Sequence, residues 1–339
     1  MPSKFKTMKR LFGKAKHDDP SLQFDKAWQD LPHPKTPRHS CGMAMWGSDK
    51  IVVAGGLDRN FQELRSVEMY NISSCEWTKL PPMSRPRSRC AAIVVKDKLY
   101  VFGGYNIDTC SHLSECEVLD LAKPDSEFTR LPNNLPRVLR LAVVVSKGHL
   151  IYVIGGKSQA DHANTVYVLD TKTNQWNDKL PRMKEKRALP AVAFLGDTLV
   201  VAGGFNVENG ILKSVETLDL ATEKWTNTIK PMPSPRKSAI AFVEEGSSNL
   251  IIAGGECKSY QPARAHLRYD GSSWTEHGKF PPITEDYNGY MVATASRNCI
   301  YYIHDEPNFK VLSFTINHGG TATSGPNANT ESGSRTQEG

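Results

Sequence analysis

Short runs of β-branched and aromatic residues, four to seven long, alternate along the chain with clusters of Gly, Pro, Asn and Asp. That alternation predicts strands separated by turns. Five of the runs end in a double glycine: IVVAGG (51–56), LYVFGG (99–104), IYVIGG (151–156), LVVAGG (199–204) and LIIAGG (250–255). Their first glycines, Gly55, Gly103, Gly155, Gly203 and Gly254, are 48, 52, 48 and 51 residues apart. A sixth run, CIYYIHD (299–305), puts His304 and Asp305 where the next pair would fall. The chain therefore reads as six units of about 50 residues, the last degenerate.

Each unit carries further marks in fixed order. A Pro-Arg or Lys-Arg precedes the first strand, at Arg38, Arg87, Arg137, Arg187 and Arg236. A third strand follows the glycines, as in SVEMY (66–70), TVYVL (165–169) and SVETL (214–218). Trp77, Trp176 and Trp225 stand seven residues beyond Tyr70, Leu169 and Leu218; unit five shortens this step to Trp274, and unit two has Phe128 instead. Four strands per unit make one small antiparallel sheet with two apolar faces, which is stable only when stacked on neighbours. The glycines lack Cβ atoms and let neighbouring backbone approach.

These marks resemble the Kelch repeat, over roughly residues 25–316. The resemblance implies an all-β fold, a six-bladed β-propeller of four-stranded antiparallel sheets. Unit six departs from the pattern, with no double glycine and with Glu285, Asp286 and Tyr287 in place of the Pro-Arg. It also lacks an outer aromatic strand after KVLSFTI (310–316), while AWQDLP (27–32) supplies Trp28 and a Leu-Pro break ahead of unit one. Residues 26–31 are therefore expected to form the outer strand of blade six, closing the ring and removing its open edge. The expected domain spans 21–317, between a basic tail at 1–20, disordered or weakly helical, and a Gly/Ser/Thr/Asn-rich disordered tail at 318–339. No BTB or F-box domain is expected, since the segment ahead of the closing strand has no room for one.

Composition narrows the function classes. Hydrophobic residues make up 39 % and charged residues 23 % of 339, enough for a sizeable core. Apolar runs such as LAVVV (141–145) are too short to span a bilayer, and no secretory leader is evident. The net charge is +6, but residues 1–16 hold six lysines or arginines and no acid, so the remainder sums to zero. Nucleic-acid binding is not expected. Phe5, Met8, Leu11, Phe12 and Ala15 give the tail a helical rhythm that would suit an anionic membrane or an import receptor. Seven cysteines, an odd number without CxxC spacing, argue for reduced thiols in the cytoplasm or nucleus and against a zinc site.

The resemblance also implies where a ligand would bind, at the channel mouth where the loops converge. One position per blade directly follows the glycines: Leu57, Tyr105, Lys157, Phe205 and Glu256. The other lies just after the Pro-Arg: His39 and Ser40, Ser88 and Arg89, Leu139 and Arg140, Lys237 and Ser238, with Asn288 in blade six. From these, Ser40, Arg89, Tyr105, Arg140, Lys157, Phe205, Lys237, Glu256 and Asn288 are the candidate partner-binding residues. Longer loops add Arg59, Asn60, Phe61, Asn106, Asp108, Asn206 and Glu208. Aromatic and arginine anchors predict a partner protein or peptide, of acidic character, held by a monomeric propeller serving as an adaptor or scaffold. The recurring arginines read as inter-blade contacts instead.

A small-ligand enzyme of the isomerase or lyase kind is the alternative, with His39, His112, Glu256 and Asp305 as its ionisable groups. Copper-radical and iron-dependent relatives of this fold need motifs that are absent here; none of the seven cysteines, for instance, has Asp four residues before it. No catalytic residue, cofactor or metal is expected.

Overall fold

The computed structural model describes residues 28–277 (except 124, 245–246, 259–260 and 264), 292–296, 299–304 and 310–315. Among these, the strands form six four-stranded antiparallel sheets and three two-stranded ones. Blade one pairs Gly42–Trp46, Lys50–Ala54, Val67–Asn71 and Glu76–Leu80 in that order. Blades two to five repeat it, starting from inner strands Ala91–Val95, Val143–Lys147, Ala191–Leu195 and Ile240–Val243. Successive inner strands lie side by side, so the protein is an all-β propeller. A further sheet, in the order Trp28–Leu31, Lys310–Thr315, Cys299–His304, Val292–Ser296, joins the two ends of the chain. In it Trp28 lies opposite Phe314 and Leu31 opposite Val311; the pairing begins at Trp28, and 26–27 lie outside the described residues. The tails expected at 1–20 and 318–339 also lie outside them.

The core sits between blades. Tyr100 and Phe102 of blade two pack with Ile151 and Val153 of blade three, and Val200 and Ala202 of blade four with Leu250 and Ile252 of blade five. The outer tryptophans are direct cross-strand partners of Tyr70, Leu169, Leu218 and Tyr269. Their indole N–H groups reach the strap entering the blade: Trp77 donates to the Pro32 carbonyl at 2.7 Å, Trp225 to Pro181 at 2.7 Å and Trp274 to Lys230 at 2.8 Å.

The double glycine is a stitch between blades. Gly103 has φ +54°, and a Cβ there would lie 2.3 Å from the Leu139 carbonyl oxygen of blade three. That carbonyl accepts the Gly104 amide at 2.8 Å; Gly56, Gly156 and Gly204 bond in the same way to Arg87, Arg187 and Arg236. The recurring arginine is therefore inter-blade through its carbonyl and intra-blade through its side chain. Arg87 donates to the carbonyls of Gly103 at 3.1 Å and Glu115 at 3.0 Å, and pairs with the buried Glu117 carboxylate. Arg38 pairs likewise with Glu68, and Arg187 with Glu216 at 2.6 Å. Each glutamate also accepts amides from the strap ahead of its arginine, as Glu216 does from Lys184 and Glu185.

Blade three departs from the expected register. Arg137 is exposed and donates to Ser158 Oγ at 3.1 Å. The arginine's place belongs to Leu139, and that of the glutamate to Tyr167; both join the apolar core. An ion pair has been exchanged for an apolar pair, which leaves no buried charge uncompensated.

Candidate functional site

The loops after the glycines and the segments after the recurring arginine converge on one face. Antiparallel bridges pair His39 with Leu57, Ser88 with Tyr105, Arg140 with Lys157, Ala188 with Phe205 and Lys237 with Glu256. Arg140 and not Leu139 thus belongs to this layer in blade three. The next residue in every blade has a left-handed backbone: Ser40, Arg89, Leu141, Leu189 and Ser238, with φ between 50° and 59°. Their amides link blade to blade. Arg89 donates to the Ser40 carbonyl at 2.7 Å, Leu141 to Arg89, Leu189 to Leu141 and Ser238 to Leu189, each at 3.0 Å. Strained backbone of this kind persists only where its surroundings hold it, and here the inter-blade amide bonds do so. These residues line the channel mouth, a cavity of about 150 Å³.

The candidate residues separate into two groups. Ser40, Ser238 and Glu256 are buried, as are Leu57, Ser88, Asn106 and Asn206 among the other loop positions named from the sequence. Glu256 is ion-paired with Lys237 at 3.0 Å, and burial pushes its carboxyl above the usual range against the opposing pull of Lys237. Asn106 and Asn206 are loop staples: their side chains donate to the Pro86 and Lys186 carbonyls at 2.9 and 2.8 Å. Arg89, Tyr105, Arg140, Lys157, Phe205 and Lys237 are half-buried. Arg140 covers the Tyr105 ring at 5.2 Å and Lys237 covers Phe205 at 5.3 Å, each reaching back one blade. Asn288 and Asp305 lie outside the described residues.

Two histidines complete the cluster. His112 meets the Tyr105 ring edge-on at 5.3 Å, and His162 meets Phe205 at 5.0 Å. Desolvation, then Arg140, Lys157 and Arg89, holds His112 below its ordinary value. Burial and then Lys157 do the same to His162, with Asp161 pulling the other way. Both imidazoles are therefore neutral at pH 7, in a field set by cations. A depressed histidine takes up its proton later in the folded than in the unfolded chain, so stability falls as pH drops below about 6.5. Urea unfolding midpoints should fall between pH 7.5 and 5.5, less steeply in His112→Gln/His162→Gln; equal slopes would show that these groups do not drive the change.

Around the cluster stand Phe61, Ile107 and Val207, 66 %, 46 % and 74 % exposed, the exposed large hydrophobics among the described residues. They occupy loops of blades one, two and four; Phe61 was expected from the sequence, and Ile107 and Val207 enlarge the apolar component beyond it. Ile107 and Val207 occupy matching places, each directly after a stapling asparagine in the tip of a two-stranded hairpin. That shared Asn-apolar step was the available signal. His162 had none. Among the described residues, no cluster of His, Cys, Asp and Glu could hold a metal ion. The Cys41 and Cys116 thiols are buried and pushed up to about 12, chiefly by desolvation, and are inert there.

Comparison with known proteins agrees with this architecture. A family model described as the KLHDC2/KLHL20/DRC7 Kelch-repeats domain matches residues 23–188 and 132–303. Kelch-like protein 41b of Danio rerio is 31 % identical over 183 residues, 54 % of this chain and 29 % of that protein. Acyl-CoA-binding domain-containing protein 6 of Oryza sativa subsp. japonica is 26 % identical over 258 residues, covering 71 % and 37 %. Kelch-like protein terF of Aspergillus terreus is 25 % identical over 279 residues, covering 75 % and 60 %. The chain spans less than two thirds of the length of these relatives.

Proposed function

Because the chain belongs to the Kelch-repeat family, we propose that it is a protein-interaction module whose loop face captures an acidic segment of a partner. The observation carrying this reading is the cation–aromatic cluster of Arg89, Arg140, Lys157 and Tyr105 at blades two and three, bordered by the apolar tips Phe61, Ile107 and Val207. Aromatic and arginine anchors with an apolar border are what concentrate binding energy in protein interfaces. The buried, free thiols support a cytosolic or nuclear setting, and an adaptor role in substrate recognition would follow from the partner's fate. Affinity capture with mass spectrometry should recover a partner with the wild type and at least ten-fold less with Arg89→Ala/Arg140→Ala, given roughly 1.4 kcal/mol per ten-fold. Equal recovery by both baits would remove these arginines as anchors.

We also infer that the sheet joining the two ends acts as a sixth blade and closes the ring. The support is its inner strand Val292–Ser296, which neighbours the inner strands of both blade one and blade five. Deleting residues 1–32 removes Trp28–Leu31 and exposes the edge of Lys310–Thr315, so the deletion should lower the thermal midpoint of the whole domain. Deleting 1–20 should leave it unchanged. If both deletions melt like the full chain, closure does not depend on that strand.

A further inference from the structure

Five cross-strand pairs occupy the same position around the loop face, and blade three is the exception among them. Blades one, two and four pair a neutral or aromatic residue with another: His39 with Leu57, Ser88 with Tyr105, Ala188 with Phe205. Blade five pairs opposite charges, Lys237 with Glu256. Blade three pairs two cations. Arg140 and Lys157 exchange both backbone hydrogen bonds, at 3.0 and 2.7 Å, so their side chains leave the same face side by side. Like charges in that relation cost about 0.2–1 kcal/mol.

A second observation points the same way. His162 is the next bridge partner of Lys157 and is 3 % exposed, and neither of its ring nitrogens has a hydrogen-bond partner among the described residues; Nε2 of His112 is in the same state. Buried polar atoms normally find partners. Among the described residues, the carboxylates around them hold other groups as well. Asp161, whose carboxylate lies 3.9 Å from His162 Nδ1, is paired with Lys186, Glu208 lies 3.8 Å from that same lysine, and Glu63 accepts Ser88 Oγ and the Ile107 amide, each at 2.6 Å.

Resting on the reading of this face as a partner-docking surface, we propose that Arg140, Lys157, Arg89, His112 and His162 form a site for a phosphate monoester, a phosphorylated side chain of the partner. A carboxylate brings one negative charge and two oxygens against three cations. A phosphate monoester brings about 1.5 to 2 charges at neutral pH and three acceptor oxygens, and it suits an arginine fork. Its oxygens would also accept from the imidazole N–H groups. The cost of the cation pair is then recovered on binding, and the pair makes sense as part of a site.

The test uses the full chain and follows the imidazole proton resonances of His112 and His162 during titration at pH 7.5. The probes are N-acetyl-O-phosphoserine amide, inorganic phosphate and N-acetylglutamate amide. Phosphoserine amide should shift both histidines at concentrations at least ten-fold below glutamate amide, and below inorganic phosphate. Lys157→Glu, which repeats the charge pairing of blade five and should fold, should abolish the preference; Lys172→Glu, an equal charge change on an exposed turn, should keep it. A preference that survives Lys157→Glu places the site elsewhere and overturns the proposal. So does equal response to glutamate and phosphoserine, although weakening of both by Arg140→Ala would leave the acidic docking reading standing. A response to inorganic phosphate stronger than to phosphoserine overturns the assignment to a partner side chain.

Discussion

Arg87→Leu is expected to lower the unfolding free energy by about 3–5 kcal/mol, because it leaves Glu117 charged, wholly buried and without its main counterion. The guanidinium also serves two carbonyls, so those acceptors lose their donors at the same time. Glu117→Tyr should cost a similar amount for the converse reason. The double variant Arg87→Leu/Glu117→Tyr is expected to cost well under half the sum of the two, because it imports the pair that blade three already uses at Leu139 and Tyr167. The Ser84 amide, which donates to Glu117 at 2.8 Å, belongs to an exposed residue and can turn to water. Denaturant unfolding of the four proteins yields the coupling energy directly. Additive losses would mean that the pair is not an energetic unit and that blade three's exchange has another cause.

The repeat was legible because its marks are local and each has a fixed backbone task. The glycines, the aromatic seven residues past the third strand and the Pro breaks could be counted along the sequence, and the sheets follow them. Register in blade three was misplaced because Pro136-Arg137 imitates the recurring Pro-Arg and lies 18 residues before Gly155, the same step as from Arg236 to Gly254; only the Gly104 amide, which donates to the Leu139 carbonyl, identifies Leu139. A motif tied to side-chain identity fails where an ion pair is exchanged as a unit; one tied to backbone geometry does not. At the site, positions were readable and availability was not. Glu256 and Lys237 looked like two separate rim charges until their bridge placed them 3.0 Å apart. Burial of Ser40 follows from its left-handed backbone and the series of inter-blade amide bonds, and neither leaves a mark in the sequence. The cationic pair of blade three, by contrast, becomes visible only when the five blades are laid over one another in the folded register.

Replacing Gly103 by alanine should be among the most damaging single substitutions in the protein, and a second glycine supplies the control. Gly103 and Gly148 have φ of +54° and +64°, so alanine meets nearly the same backbone penalty at both, about 1–2 kcal/mol. Their surroundings differ. A Cβ on Gly148 meets nothing within 4 Å, while one on Gly103 would lie 2.3 Å from the Leu139 carbonyl oxygen and 3.1 Å from that of Leu113. Neither obstacle is a side chain that could swing away. The Leu139 carbonyl is also held in place by the Gly104 amide, and the Leu139 side chain is anchored in the core shared with Phe102 and Ile151. Relief therefore requires blades two and three to part, which sacrifices apolar contact along their whole interface. Gly148→Ala is expected to shift the unfolding midpoint modestly and Gly103→Ala to lose at least about 3 kcal/mol, the backbone penalty plus the cost of overpacking. The Arg140–Lys157 and Arg89 cations stand on opposite sides of that same seam, so Gly103→Ala should also weaken partner capture in whatever fraction still folds. Equal losses for the two alanines would show that left-handed backbone alone, and not the close approach of neighbouring blades, is what the double glycine provides.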